Sequence, residues 1–400
     1  MKSKLFQQKK IIFFFLIMAF LFCILILYTH FTNTSDLIVK KDLTFQFRQK
    51  VYIKDLIEKI NGKLINNPLV DTNKVGKSKV QISYYNHYGF IENKYIEIEI
   101  RDLTPPTIVI NSTYVVEKGE TKNLLDQIFC ADDYDDYVNC QIKGQYDLNK
   151  IGKYPLTITA TDQSNNVTSK NFTLKVIDKQ KEFSEEKGEQ EKTNFKDVYQ
   201  KYKTKNTQIG LDLSKWQGKI DFSKIKEQGV EFVMIKIGGQ SKKNAKIEMD
   251  PNFITNITGA LENDLKVGLY FYSHATNEKE AKNQAEWLLN KIQNYNITMP
   301  IAFDWENFNQ YYTYHISFHT LNNIANTFFQ TIENKNYQTL LYSSKYYLET
   351  VWYQEEYQNW IAHYTNISEG KEKYRMWQLC NNGKIEGIQG DVDIDIFYLK

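Results

Sequence analysis

Pro300-Ile301-Ala302-Phe303-Asp304-Trp305-Glu306 is an apolar run that ends in two carboxylates. Residues i and i+2 of a strand point the same way, about 6.6 Å apart along the chain, so Asp304 and Glu306 are expected to share one face. Two negative groups so close repel, and one of them keeps its proton to a higher pH than an isolated acid. An exposed pair at a strand end is the alternative. The apolar lead-in argues against it, because it marks a buried strand that delivers the pair.

Outward from this strand, similar apolar runs recur at 209–213, 232–237, 267–272, 339–342, 359–363, 374–378 and 392–397. Amphipathic stretches such as 278–292 and 318–333 lie between the earlier ones. Strand–helix alternation with continuous apolar strands predicts a parallel sheet covered by helices. Eight strands fit an α/β barrel of TIM-like type, with some late helices missing because the last connections are short. In such barrels the catalytic groups stand where strands end. Asp212 ends the first run, Asp304 and Glu306 the fourth, and Asp393 lies in the last.

The 400 residues predict two to four domains. A net charge of +2 lends no support to a nucleic-acid partner. The apolar run 11–28 follows Lys2, Lys4, Lys9 and Lys10. Read as a helix it is about 27 Å long and predicts a transmembrane anchor. Residues 1–10 would be a cytoplasmic tail and the C-terminal domains extracellular, giving a single-pass protein of the cell membrane. A cleaved signal peptide is the alternative.

Asn73-Lys74-Val75-Gly76-Lys77 recurs as Asn149-Lys150-Ile151-Gly152-Lys153, and Asp102 recurs as Asp178, both at one offset. Period-two segments between turn residues predict two antiparallel β-sandwich modules, 36–102 and 103–178. Cys130 and Cys140 are candidates for a disulfide in the exported part. Asp132, Asp133, Asp135 and Asp136 read as a solvated turn in preference to a Ca²⁺ site. Residues 179–208, rich in Lys, Glu, Gln and Asn, read as a charged linker leading to the domain at 209–400. No Cys/His cluster has zinc spacing, and no cofactor is expected.

Several motifs carry a family resemblance. Gly210-Leu211-Asp212-Leu213-Ser214-Lys215-Trp216-Gln217-Gly218 with Ile220-Asp221 resembles the opening of family 25 glycoside hydrolases, the muramidase lysozymes. Gly268 to Ala275, Pro300 to Glu306, Trp360-Ile361-Ala362-His363-Tyr364, Trp377-Gln378 and Val392-Asp393-Ile394-Asp395 follow in the family's order. Gly238-Gly239-Gln240 and Asp395 depart from its usual residues. The second module, with Gly152-Lys153-Tyr154 and Ala160-Thr161-Asp162, resembles bacterial immunoglobulin-like surface repeats. Chitinases of the other barrel type also carry D-x-E, but Met299 and Ala302 stand where they have Asp.

The resemblance implies an N-acetylmuramidase that cleaves peptidoglycan glycan strands with retention. Glu306 would be the general acid/base and Asp304 the stabiliser, while Asp212 and Asp393 would hold sugar hydroxyls or tune Glu306. A protonated acid beside a charged partner is what glycosidic cleavage uses. Gln378 would bind substrate. Tyr270, Tyr272, Trp360, Tyr364 and Trp377 offer faces for stacking on sugar, with core packing as the other role open to each. The alternative function is a non-catalytic wall-binding or adhesion protein. The sequence is silent on oligomeric state.

Overall fold

Eight strands of the C-terminal half close into one sheet: β1 (Thr207–Leu213), β2 (Phe232–Gln240), β3 (Lys266–Tyr272), β4 (Ile301–Asp304), β5 (Thr339–Ser344), β6 (Asn359–Ala362), β7 (Met376–Lys384) and β8 (Val392–Tyr398). The computed structural model describes residues 16–24, 36–121, 123–178, 192–241, 246–365 and 374–399. From β1 to β7 every neighbouring pair is parallel. β8 runs antiparallel to both β7 and β1, and so shuts the ring.

This corrects the expected TIM-like α/β barrel. A parallel return needs a crossover of about a dozen residues or more. Only residues 385–391 separate β7 from β8, so the last strand must come back antiparallel. Among the described residues of this half the helices are few: α1 (Phe195–Tyr202), α2 (Phe222–Glu227), α3 (Phe253–Glu262), α4 (Glu278–Ile292), α5 (Phe318–Glu333) and α6 (Lys345–Thr350). Two of them, α2 and α6, have only six residues. The domain is an eight-strand β-barrel sheet with a thin helical coat.

Alternation along the strands separates two cores. Ile209, Leu211, Ile301, Phe303, Leu341, Ile361, Trp377, Ile394 and Ile396 point outward into the layer under the helices. Phe232, Met234, Ala302, Leu340, Trp360, Met376 and Phe397 fill the barrel interior. Close strand approach needs Gly210, where a Cβ would lie 2.5 Å from the Phe232 carbonyl oxygen. Two strand positions past Gly210, the same inward parity presents Asp212.

The chain divides into two compact units, Met1–Leu103 and Thr104–Lys400. In the first, a four-stranded sheet runs Thr44–Gln46, Ile91–Arg101, Gly76–Asn86, Gly62–Leu64, beside a ladder of Leu37–Val39 with Ile57–Ile60. In the second, Thr113–Glu117, Val167–Ile177, Gly152–Thr161 and Asn139–Lys143 repeat that order, beside a ladder of Thr107–Val109 with Phe129–Ala131. Lys94 Nζ donates to the Leu37 carbonyl at 2.9 Å, and Lys170 Nζ to the Ile108 carbonyl at 2.6 Å. The copies are not purely antiparallel sandwiches. In each, the edge strand of the larger sheet is parallel to its partner, which the long chain passage between those two strands permits.

Cys130 is bonded to Cys140. The acidic cluster is not solvated throughout: Asp132 and Asp135 are 1% and 8% exposed, while Asp136 is exposed. Asp132 Oδ1 accepts from the Tyr134 and Asp135 amides, and Asp135 Oδ2 from those of Gln163 and Ser164, at 2.8–3.0 Å.

The single-pass membrane expectation is also corrected. Among the described residues no helix is long and apolar enough to cross a membrane. Of the run 11–28, residues 16–24 are described as helix. Residues 1–15 and 25–35 lie outside the described residues.

Part of the segment read as linker belongs to the barrel unit. Thr193–Asn194 pairs with β7, and α1 places Phe195, Val198, Tyr199 and Tyr202 against the outer core. Residues 179–191 lie outside the described residues. Phe195 is 1% exposed, so Phe195→Ala should cost about 3–5 kcal/mol of unfolding free energy. Urea denaturation of the full chain measures this; a loss below about 1 kcal/mol would show that α1 contributes no core packing.

Candidate active site

The open end of the barrel is a cavity of about 360 Å³ lined by Asp212, Ser214, Trp216, Lys236, Tyr270, Tyr272, Asp304, Glu306, Tyr342, Trp360, Gln378 and Asp393. Strand parity delivers most of them. Asp304 continues the inward row of Ala302 on β4, and Asp212 that of Gly210 on β1. Gln378 follows Met376 on β7, and Lys236 follows Phe232 and Met234 on β2. β8 sets Asp393 opposite Asp212 in register.

Gln378 ties three walls together. Its Nε2 donates to Asp212 Oδ2 at 2.6 Å and to Asp393 Oδ2 at 3.3 Å. Its Oε1 accepts from the Tyr342 and Tyr364 hydroxyls, both at 2.9 Å. These four bonds fix which way the amide faces. Trp360 Nε1 donates to Asp395 Oδ1 at 2.8 Å on the layer below.

Burial governs the acids. It pushes Asp212 well above the usual carboxylate range, with the charges of Asp393 and Asp395 adding to the effect and the Gln378 bond opposing it. Asp393 is pushed up to about 6 by burial, while its bond with Asp212 pulls the other way. Asp212 therefore carries the proton that the pair shares. Asp395, fully buried, is also raised well above the ordinary range, first by burial and then by Asp393.

Asp304 is 5% exposed, and its Oδ1 has no hydrogen-bond partner. Burial and then the Glu306 charge raise it well above the usual range, against Lys236. Glu306 begins the 3₁₀ helix Asn307–Tyr314 and is exposed at the mouth. The cavity walls still raise its carboxyl by desolvation, with Lys236 opposing and Asp393 adding. Because water reaches Glu306, its shift is the smaller of the two. Between them Trp305 is fully buried and points outward, its Nε1 donating to the Ala275 carbonyl at 3.0 Å.

The structure brings together Asp212, Asp304, Glu306, Asp393, Tyr270, Tyr272, Trp360 and Gln378. Tyr364 stands half-exposed beside Gln378. Trp377 does not reach the cavity. The parity that turns Gln378 inward turns Trp377 out, where it meets Tyr202 edge-on and donates to the His363 carbonyl at 2.8 Å. Ser214, Trp216, Tyr342 and Lys236 were not anticipated. For Lys236 the signal was a single cation inside the apolar strand 232–237. Its Nζ lies 4.5 Å from the Tyr272 ring centroid. Trp216 is 78% exposed at the rim, with a broad apolar face presented to the cavity entrance.

Residues 211–388 match the family described as Glycosyl hydrolases family 25. The uncharacterized protein YegX of Escherichia coli (strain K12) is 27% identical over 198 residues, 47% of this chain and 68% of YegX. The autolytic lysozyme of Clostridium acetobutylicum is 27% identical over 197 residues, 47% of this chain and 55% of that protein. The modular autolysin LytC from Streptococcus pneumoniae superposes with a TM-score of 0.43 at 23% identity, covering 60% of this chain and 56% of that one. Residues 211–388 thus resemble a family 25 glycosyl hydrolase domain, and the protein is a glycoside hydrolase.

Proposed function

We propose that the domain is a peptidoglycan hydrolase, an N-acetylmuramidase that cleaves the β-1,4 bond between N-acetylmuramic acid and N-acetylglucosamine with retention. The observation that carries this reading is the pairing of a buried, unpartnered Asp304 with Glu306 at the mouth of one cavity. The likeness to an autolytic lysozyme supports the substrate class.

Glu306 gives its proton to the glycosidic oxygen. The C1–O bond breaks, its electron pair goes to that oxygen, and positive charge develops at C1. Asp304 meets that charge as its stabiliser. A bound sugar strips water from Glu306 and raises its affinity for the proton that it must deliver. The Lys236 charge opposes the upward shift of both acids. Asp212, Asp393 and Gln378 form a polar floor for sugar hydroxyls. Tyr270, Tyr272 and Trp216 supply flat faces beside it.

Glu306→Gln should lower turnover by at least about 10²-fold, the ordinary contribution of a general acid, with the fold kept. Asp304→Asn should be comparably severe. The rate of fragment release from purified cell walls checks both. If Glu306→Gln retained more than about a tenth of the wild-type rate, another group would have to be the acid.

Stability carries a second signature. Asp393 titrates near 6 in the folded protein, against about 3.9 in an unfolded chain. A raised value favours the protonated form on folding. The stabilisation is complete below about pH 4 and is lost as pH rises through about 6. Asn cannot ionise, so the Tm of Asp393→Asn minus that of wild type should rise by about a few °C between pH 4 and pH 7. A difference that stays constant with pH would refute the shift.

A further inference from the structure

The 3₁₀ helix Asn307–Tyr314 starts at the residue after Glu306 and has eight residues. Such helices rarely exceed three or four residues, because their hydrogen bonds are poorly aligned. It ends at His315, a non-glycine residue in the left-handed region with φ 49°, which is unfavourable for most side chains. Local preference therefore does not hold this segment, and the contacts around it must.

On one side it leans on the barrel. Tyr311 is 1% exposed, with its ring 5.6 Å from that of Trp305, the residue between the two acids. The other side is covered by the module at 104–178, which belongs to the same compact unit. Phe129 of that module lies 5.0 Å from the Tyr311 ring and 6.0 Å from Phe318. Tyr312 packs onto the module's own core, and Tyr137 stacks on His315 at 4.9 Å. The Phe318 and His319 amides donate to the carbonyls of Asp132 and Asp133 at 2.9 and 3.0 Å.

Asp136 makes the most concentrated contact. Its Oδ1 accepts from the Ser317 amide at 2.7 Å, the Ser317 hydroxyl at 2.8 Å and the Thr320 hydroxyl at 2.6 Å. Ser317 is the N-cap of α5, so the carboxylate also faces the positive end of a 16-residue helix. A spacer that merely held the barrel away from a surface would need none of these bonds.

We propose that the module at residues 104–178 is a positioning element of the catalytic centre. Through Asp136, Phe129 and Tyr137 it holds the segment from Trp305 to Ser317, and so sets where the Glu306 carboxyl stands. The inference rests on the reading of Glu306 as the acid. A misplacement of about 1 Å at a reacting group can cost about 10²-fold in rate, so a support this close to the acid acts on turnover ahead of binding.

The test compares kcat, KM and the pH profile of the full chain on soluble peptidoglycan fragments for wild type, Glu306→Gln, Asp136→Ala, Asp136→Asn and Tyr137→Ala. Asp136 and Tyr137 are both exposed residues, and circular dichroism checks that each variant is folded. Asp136→Ala should lower kcat about tenfold or more, leave KM within about twofold, and displace the basic limb of the profile. Asp136→Asn should recover part of the loss, because its amide oxygen still accepts from Ser317 and Thr320. Tyr137→Ala should lower kcat about threefold or more, and it decides the matter alone if Asp136→Ala does not fold. Wild-type kcat and pH profile in the folded module variants, with Glu306→Gln inactive, would overturn the positioning role and leave the acid assignment intact. Full activity in Glu306→Gln would overturn both.

Discussion

The antiparallel pairing of β8 with both β1 and β7 sets Asp393 opposite Asp212 and brings Gln378 within reach of both. Without that return strand the sheet would be open, water would reach the floor, and the acids would titrate as ordinary carboxylates. Closure places Asp212, Asp304, Asp393 and Asp395 in a space where ionising all of them is prohibitive. Protons are retained, and the retained protons make the chemistry available. Among the described residues that line the cavity, Lys236 is the one cation. It offsets the burial of Asp304 and Glu306 but does not neutralise the set.

Asp395 illustrates the same constraint. The family resemblance calls for Asn at this position more often than Asp. Burial raises the Asp395 carboxyl well above the ordinary carboxylate range, which disfavours its charged form. Its Oδ1 takes the Trp360 indole proton, which Asn could also do. The departure in sequence is therefore reduced in electrostatic terms, because the barrel interior disfavours the charge that distinguishes the two residues.

Much of the site was legible because it follows period two. The spacing of Asp304 and Glu306, the apolar lead-in and the strand-end rule were enough to group the acids. The repeat at one offset was equally readable, and the hairpins Gly76–Asn86 with Ile91–Arg101 and Gly152–Thr161 with Val167–Ile177 display it. For Trp377, residue type leaves both stacking on sugar and core packing open, and the inward parity of Gln378 decides for the core. The direction of β8 was implicit in the seven residues before it, too few for a crossover. The stripe Phe195, Val198, Tyr199 and Tyr202 was hidden by the charged composition around it, although its spacing is that of a buried helix face. Contacts from Asp136 to Ser317 and Thr320 span more than 180 residues, and no local pattern announces them.

The most direct test of which bond is cut is mass spectrometry of the fragments released from purified peptidoglycan by the full chain, after reduction of their new ends. The account predicts N-acetylmuramic acid at the reducing end of each fragment. Reducing-end N-acetylglucosamine, or release of peptides with the glycan strands uncut, would contradict it.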